Sequence, residues 1–178
     1  MIKEREGDAL KSGADILVHQ TNCIGVMGAG IAKQIRDQLI SKEDYNIHRS
    51  LCKNLGSDLL GSVQYIKVNT KKEELCETPQ IVANVFGENV PSKNQVDTDY
   101  DALRDGLQTV HDYALDNGYS VCVPGLMGCG LAGGDWNIVK GILEDIFEDS
   151  EVELTIMYFD GIPQKKEQNP VRCFGSFR

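Results

Sequence analysis

The stretch Asp15-Ile16-Leu17-Val18-His19-Gln20-Thr21-Asn22-Cys23-Ile24-Gly25-Val26-Met27-Gly28-Ala29-Gly30-Ile31 decides the fold. Residues 15–20 form a short, largely apolar run of the kind that makes a strand buried on both faces. Gly25, Gly28 and Gly30 follow, and Ile31, Ile35 and Leu39 then recur at helical spacing. The order strand, glycine-rich turn, helix sets the turn at the carboxyl end of a buried strand. Small residues there let main chain approach a ligand, and the free N–H groups of a helix start favour an anion. The turn lacks the Gly-Lys-Ser/Thr ending of a phosphate loop, and its glycine spacing is not the GxGxxG of dinucleotide folds. Taken alone, it also fits a turn that merely packs.

The same device recurs downstream. Residues 119–123 read as a strand ending at Pro124. Gly125-Leu126-Met127-Gly128-Cys129-Gly130-Leu131-Ala132-Gly133-Gly134 follows, and Asp135 caps a helix that starts at Trp136. Two such units in one short chain are far more specific than one. Two helix N-termini facing one crevice would hold a diphosphate without a lysine. Between the two units, residues 44–53 suit a helix, and 62–68 a strand exposed on one face. Residues 81–86 read as a buried strand ending at Gly87, and 87–96 as a polar loop. A helix capped within 97–99 carries Leu103, Leu107, Val110 and Ala114, and Asn117-Gly118 stops it. Residues 153–159 are the last strand, and 161–178 an irregular tail. Alternating strands and helices imply a largely parallel sheet covered on both faces, with any ligand at the carboxyl strand ends.

Composition narrows the chemistry. The 178 residues suit one domain spanning 1–178, and a net charge of −9 makes a nucleic-acid partner improbable. No basic run exceeds Lys71-Lys72 or Lys165-Lys166, so an anionic ligand must be held mainly by main chain. No apolar stretch approaches a membrane span, and the charged start Met1-Ile2-Lys3-Glu4-Arg5-Glu6 lacks a signal core, so a cytoplasmic protein is expected. The six cysteines form no CxxC pair, so reduced thiols without a metal site are expected.

Four blocks in order, namely Gly7-Asp8-Ala9-Leu10, His19-Gln20-Thr21-Asn22, Met27-Gly28-Ala29-Gly30-Ile31-Ala32 and Gly128-Cys129-Gly130-Leu131-Ala132-Gly133-Gly134-Asp135-Trp136, together resemble a macro domain. The resemblance runs from Gly7 to about Asp160. It is nearest the branch holding ADP-ribose-1″-phosphate phosphatases and terminal ADP-ribose protein glycohydrolase. It implies a three-layer α/β/α fold with a mixed, mainly parallel sheet. The implied partner is ADP-ribose or an ADP-ribosyl derivative, bound without a cofactor.

The resemblance also implies roles. Asp8, beside Ala9, would accept from the adenine amino group, and Tyr158 or Phe159 would flank the ring. Gln20, Thr21 and Asn22 end the strand beside the distal ribose. Met27, Gly28, Ala29, Gly30 and Ile31 would line the diphosphate from one side. From the other, Pro124, Met127, Gly128, Cys129, Gly130, Leu131 and Ala132 would close over it. Asp160 lies close, with no role assigned. The expected activity is hydrolysis of a phosphate, acyl group or linked adduct at the distal ribose, with His19 and Asn22 as catalytic candidates. His19 fits a general acid or base and equally a satisfied buried histidine. The glycohydrolase subgroup uses a lysine near the Gly87 region and an aspartate in the second loop. Here Ala83-Asn84-Val85-Phe86-Gly87 holds no lysine, and Ala132 takes the aspartate's position. A non-catalytic ADP-ribose reader is the alternative.

Overall fold

The computed structural model describes residues 1–68, 77–92 and 94–163. Residues 164–178 of the expected tail, Lys71-Lys72, Lys165-Lys166, Cys76 and Cys173 lie outside that range. Six strands form one sheet: β1 (Ile2–Glu6), β2 (Ile16–Asn22), β3 (Val63–Lys67), β4 (Ile81–Glu88), β5 (Val121–Pro124) and β6 (Leu154–Tyr158). Their order is β1-β6-β5-β2-β4-β3, parallel throughout except for β3, which runs antiparallel to β4. Four helices cover it: α1 (Gly30–Gln38), α2 (Lys42–Leu55), α3 (Tyr100–Asn117) and α4 (Trp136–Phe147).

Side-chain alternation along the central strands builds the three layers. On β2, Ile16 and Val18 join Leu103, Leu107 and Val110 of α3 and Val139 and Leu143 of α4 in one core. Leu17 faces the opposite way, packing with Ile35 of α1 and Leu10 of a short 3-10 turn (Ala9–Lys11). The base of α2 adds a smaller cluster around Cys52 and Phe86. The fold is therefore the expected three-layer sandwich with a mixed, mainly parallel sheet.

The helix stops and starts follow local chemistry. Ser41 and Asp44 make a reciprocal capping box on α2, and Asp99 and Asp135 accept main-chain N–H groups at the starts of α3 and α4. Gly118 closes α3 in the left-handed conformation, φ 67°.

Two elements differ from the sequence expectation. The charged N-terminus is an edge strand, β1, paired in parallel with β6 from Ile2↔Leu154 to Glu6↔Tyr158. Charged residues suit an edge strand, because they discourage pairing with a second chain. The strand expected to end at Gly87 continues to Glu88, whose carbonyl accepts the Cys23 N–H at 3.0 Å. Gly87 is there because the Gln20 side chain crosses it: a Cβ would sit 2.9 Å from Gln20 Oε1.

Gly106 marks the closest approach of α3 to the sheet, where a methyl group would overlap the Val85 side chain. Alanine gains up to about 1 kcal/mol in helix propensity, but overpacking costs about 1–3 kcal/mol. Val85 is fully buried and has little room to retreat. Gly106→Ala is therefore expected to destabilise the fold by about 1–2 kcal/mol, read as a lower urea midpoint with an unchanged slope.

Candidate functional site

The carboxyl ends of β1, β6, β5, β2 and β4 open into one cleft of about 640 Å³. Four strand spacings of ~4.8 Å separate β1 from β4, which makes the trough roughly 19 Å long. At the β1/β6 end stand Gly7, Asp8, Ala9, Phe159 and Asp160. Its middle lies between the two glycine loops. At the β2/β4 end are Thr21, Asn22, Val26, Glu88 and Pro91. Among the described residues, no lysine or arginine lines it.

The first loop supplies Gly28, Ala29, Gly30 and Ile31. Helix α1 starts here with Ala29 as its N-cap and no side-chain cap, whereas α2, α3 and α4 each have one. The Lys33 N–H closes the first turn of α1, donating to Ala29 O at 3.2 Å. The donors before it are left to solvent or a ligand. Gly30 has φ 55° and open space before its Cα, so the main chain itself faces the cleft.

The second loop supplies Pro124, Gly128, Gly130, Leu131 and Ala132 to the opposite wall, with Leu126 and the Met127 side chain's edge. Here the structure corrects an expectation. The start of α4 does not line the cleft, because Asp135 caps it and Gly133 and Gly134 turn the chain away. One helix N-terminus and one loop, not two helix N-termini, flank the trough. Leu126 is strained at φ 63°, the sole positive-φ residue other than glycine among the described residues. Thr98, which the sequence did not single out, holds this loop in place. Gln20 Nε2 donates to Thr98 Oγ1 at 3.0 Å, and Thr98 Oγ1 donates to Gly128 O at 2.6 Å.

The floor is the end of β2. His19 is fully buried, and its Nε2–H donates to Asn84 Oδ1 at 2.6 Å. Asn84 Nδ2 donates onward to Gln64 Oε1 at 3.2 Å, which also accepts from His48 Nδ1 at 2.6 Å. That chain fixes the His19 tautomer and leaves Nδ1 as a bare acceptor. His19 Nδ1, Gln20 Oε1 and Thr21 Oγ1 are buried and have no hydrogen-bond partner among the described residues. Three consecutive unsatisfied groups in one cleft floor are unusual in a native interior. Asn22 is more committed: its Oδ1 accepts from Ile24 N at 3.3 Å and Val26 N at 3.1 Å, and its Nδ2 donates to Val26 O at 2.9 Å.

Other expected residues stand elsewhere. The Met27 side chain is fully buried, packed in the core below the first loop. Cys129 packs against the core behind the second loop, its Sγ donating to Met127 O at 3.3 Å. Burial pushes its thiol up to about 11, which removes it as a nucleophile at neutral pH. Tyr158 is buried edge-on to Trp136, beneath Gly125, whereas Phe159 is exposed at the cleft mouth. Asp8 caps the 3-10 turn, with Oδ1 accepting the Leu10 N–H at 2.9 Å. Glu88, Pro91 and Gln34 also line the cleft, though sequence reasoning passed over them. Glu88 and Pro91 stand there because of where β4 ends, which local pattern does not show, and Gln34 reaches the cleft from α1.

Burial lowers His19 from 6.5 to about 4, against the opposing pull of the Asn84 hydrogen bond. Between those values the unfolded chain binds more protons than the folded one, so stability is lost as pH falls through that window. The full effect is about 3 kcal/mol. His48, also lowered by burial, acts in the same direction. Urea unfolding at pH 7 and pH 4.5 should show wild type losing about 2–3 kcal/mol more than His19→Gln. Equal losses would mean that His19 is not held neutral.

No family model matches the chain. A 57-residue stretch is 32% identical to the ADP-ribose glycohydrolase OARD1 of Bos taurus, spanning 32% of this chain and only 38% of that protein. Among solved structures, the macrodomain of Mycobacterium tuberculosis DarG is 26% identical with a TM-score of 0.70, covering 89% of this chain and 97% of that one. Thermosipho africanus DarTG, solved in complex with ADP-ribose, is 22% identical with a TM-score of 0.69 over 85% of this chain and 40% of its own, a likeness of fold alone. Similarity running through nearly the whole of both chains, as it does with the DarG domain, gives this protein the macro-domain fold.

Proposed function

We propose that the protein binds ADP-ribose, or a molecule carrying it, along the full length of the cleft and hydrolyses a group at the distal ribose. The observation that carries this reading is an uncapped helix start facing a trough that, among the described residues, no cationic side chain lines. A diphosphate placed there meets the α1 donors on one side and the Gly128–Ala132 main chain on the other, where aligned peptide dipoles stabilise its charge. The trough is long enough for an adenosine on one side of the diphosphate and a ribose on the other.

At the β1/β6 end, Asp8 has a second carboxylate oxygen for the adenine amino group, and exposed Phe159 offers a face to the ring. Met27, Cys129 and Tyr158 support the loops from behind. At the β2 end, Gln20, Thr21 and Asn22 surround the distal ribose, and the bare Nδ1 of His19 accepts a hydrogen bond from a ribose hydroxyl or a water. A histidine neutral at pH 7 acts there as acceptor or base and not as a proton donor. Contacts to the remote adenosine position the reacting end. The released group is a phosphate, an acyl group or a linked adduct at C1″. The glycohydrolase activity named for the bovine relative is in keeping with this chemistry.

A specific observation favours the second reading, a non-catalytic reader. Ala132 stands where the resemblance expects an aspartate, and residues 83–87 offer no lysine. That reading uses the cradle alone.

Gly130 separates cleft from fold. Its φ is not in the left-handed region and nothing lies within 4 Å of a Cβ built on it. Gly130→Val should keep a native circular dichroism spectrum while weakening ADP-ribose at least tenfold in calorimetry. Unchanged affinity would take the second loop out of the binding site. Release of ADP-ribose from modified protein, or of phosphate from ADP-ribose 1″-phosphate, separates hydrolase from reader.

A further inference from the structure

Wherever else φ turns positive among the described residues, the sequence supplies glycine. Leu126 departs from this, at φ 63°, on the turn that follows β5. That turn is Pro124-Gly125-Leu126-Met127, closed by the Met127 N–H, which donates to Pro124 O at 3.2 Å. A positive φ at the third residue is the type II arrangement, and glycine is the residue at ease in that third place. Here glycine stands one place early. Tyr158 requires it there, because a Cβ on Gly125 would lie 2.2 Å from Tyr158 Cδ1. Nothing in that constraint bars a second glycine in the third place, yet a leucine fills it.

Packing does not account for the leucine. Its side chain is half-exposed and belongs to none of the buried clusters. It lines the cleft. Leu126 follows the last residue of β5 by two places, and Phe159 follows the last residue of β6 by one. The two strands pair in parallel, with Pro124 opposite Met157, and the Gly125 N–H extends that pairing by donating to Met157 O at 2.8 Å. Two exposed apolar side chains therefore stand at adjacent strand ends, and both line the cleft.

Resting on the reading of the cleft as an ADP-ribose site, we propose that Leu126 contacts the purine and that the fold retains a strained turn for that contact. Of the ligand's parts, the purine is the one with apolar faces. The diphosphate and the ribose hydroxyls gain nothing from an aliphatic side chain where bare main chain would serve. Strain at a residue that lines a cleft and contributes nothing to the core marks a position shaped by binding and not by stability. Stability and affinity therefore pull in opposite directions at this one residue. A glycine at 126 relaxes the turn and uncovers the purine.

The test compares wild type, Leu126→Gly and Leu126→Ala in urea unfolding, and in calorimetry with ADP-ribose and with ADP, which keeps the adenosine and lacks the distal ribose. Both variants remove the side chain, and only glycine removes the strain. Leu126→Gly should unfold at higher urea than Leu126→Ala, with an equal slope. Both should weaken ADP-ribose and ADP by the same factor, roughly five- to tenfold, the worth of a part-buried leucine side chain. Affinity within about twofold of wild type in both variants, or a loss for ADP-ribose that spares ADP, overturns the purine contact while the cleft reading stands. A Leu126→Gly midpoint at or below that of Leu126→Ala overturns the claim that the turn is strained. Failure of wild type to bind ADP-ribose in calorimetry removes the cleft reading itself, and the purine contact with it.

Discussion

Strand β2 carries both the core and the site, and the conflict between them constrains everything around it. Ile16, Leu17 and Val18 are fully buried hydrophobics, and of the four polar residues that follow His19, Thr21 and Asn22 are buried and Gln20 is partly buried. Burying a polar group without a partner costs about 1–3 kcal/mol. Here His19 Nδ1, Gln20 Oε1 and Thr21 Oγ1 all incur it, in a protein whose whole net stability is on the order of 5–15 kcal/mol. The neighbouring strand limits the loss, since Asn84 takes the other His19 nitrogen and hands the chain on to Gln64 and His48. What remains unsatisfied belongs to residues that line the cleft, and the ribose we propose there would satisfy it with its ring of hydroxyls.

The same logic explains how an acidic chain would hold the diphosphate we propose for it. Cationic side chains are flexible and bring charge that an acidic surface would offset elsewhere. Main-chain donors are fixed by the fold and add no net charge. Three helices have their first turns closed by Ser41, Asp99 and Asp135, and α1 does not. A cap there would stabilise α1 by about 1 kcal/mol. Its omission leaves the donors for an anion and concentrates the field where the second loop lies opposite. Thr98 makes that arrangement rigid by bonding the second loop to the side chain of Gln20, so floor and wall move together.

How much of this was legible in the sequence follows from the range of each interaction. The strand–glycine–helix units are local, and both were readable from residues 15–31 and 119–136. So were the caps at Asp99 and Asp135, because a cap is a contact over two or three residues. The edge strand β1 was not, since its alternation of one apolar residue with four charged ones looks like a solvated terminus until β6 supplies a partner. Asp135 was read correctly as a cap, and that reading itself implied that α4 keeps its first turn closed. The expectation of two facing helix starts conflicted with it, and the cap prevailed. Thr98 and Glu88 were hidden for a different reason. Glu88 lies in a stretch whose polarity reads as loop and Thr98 in one that reads only as a helix cap; the parallel pairing of β2 with β4 brings Glu88 to the cleft, and contacts distant in sequence tie Thr98 to Gln20 and Gly128.

That pairing also accounts for the asymmetry of the trough. Across a parallel sheet, neighbouring strands deliver their carboxyl ends side by side, so the order of strands becomes the order of functions. Here β1 and β6 bring an exposed aromatic ring and two carboxylates to one end, β5 and the start of α1 bring bare main chain to the middle, and β2 and β4 bring desolvated polar groups to the other. The ligand we propose matches this order, flat and aromatic first, doubly anionic next and hydroxyl-rich last. Among the described residues no cation lines the trough, and only the segment opposite α1 faces a helix start, so ligand charge placed toward β4 would meet Glu88 instead. In the binding mode we propose, preference between ligands at that end would follow from the carboxylate the sheet places there and not from exclusion by shape.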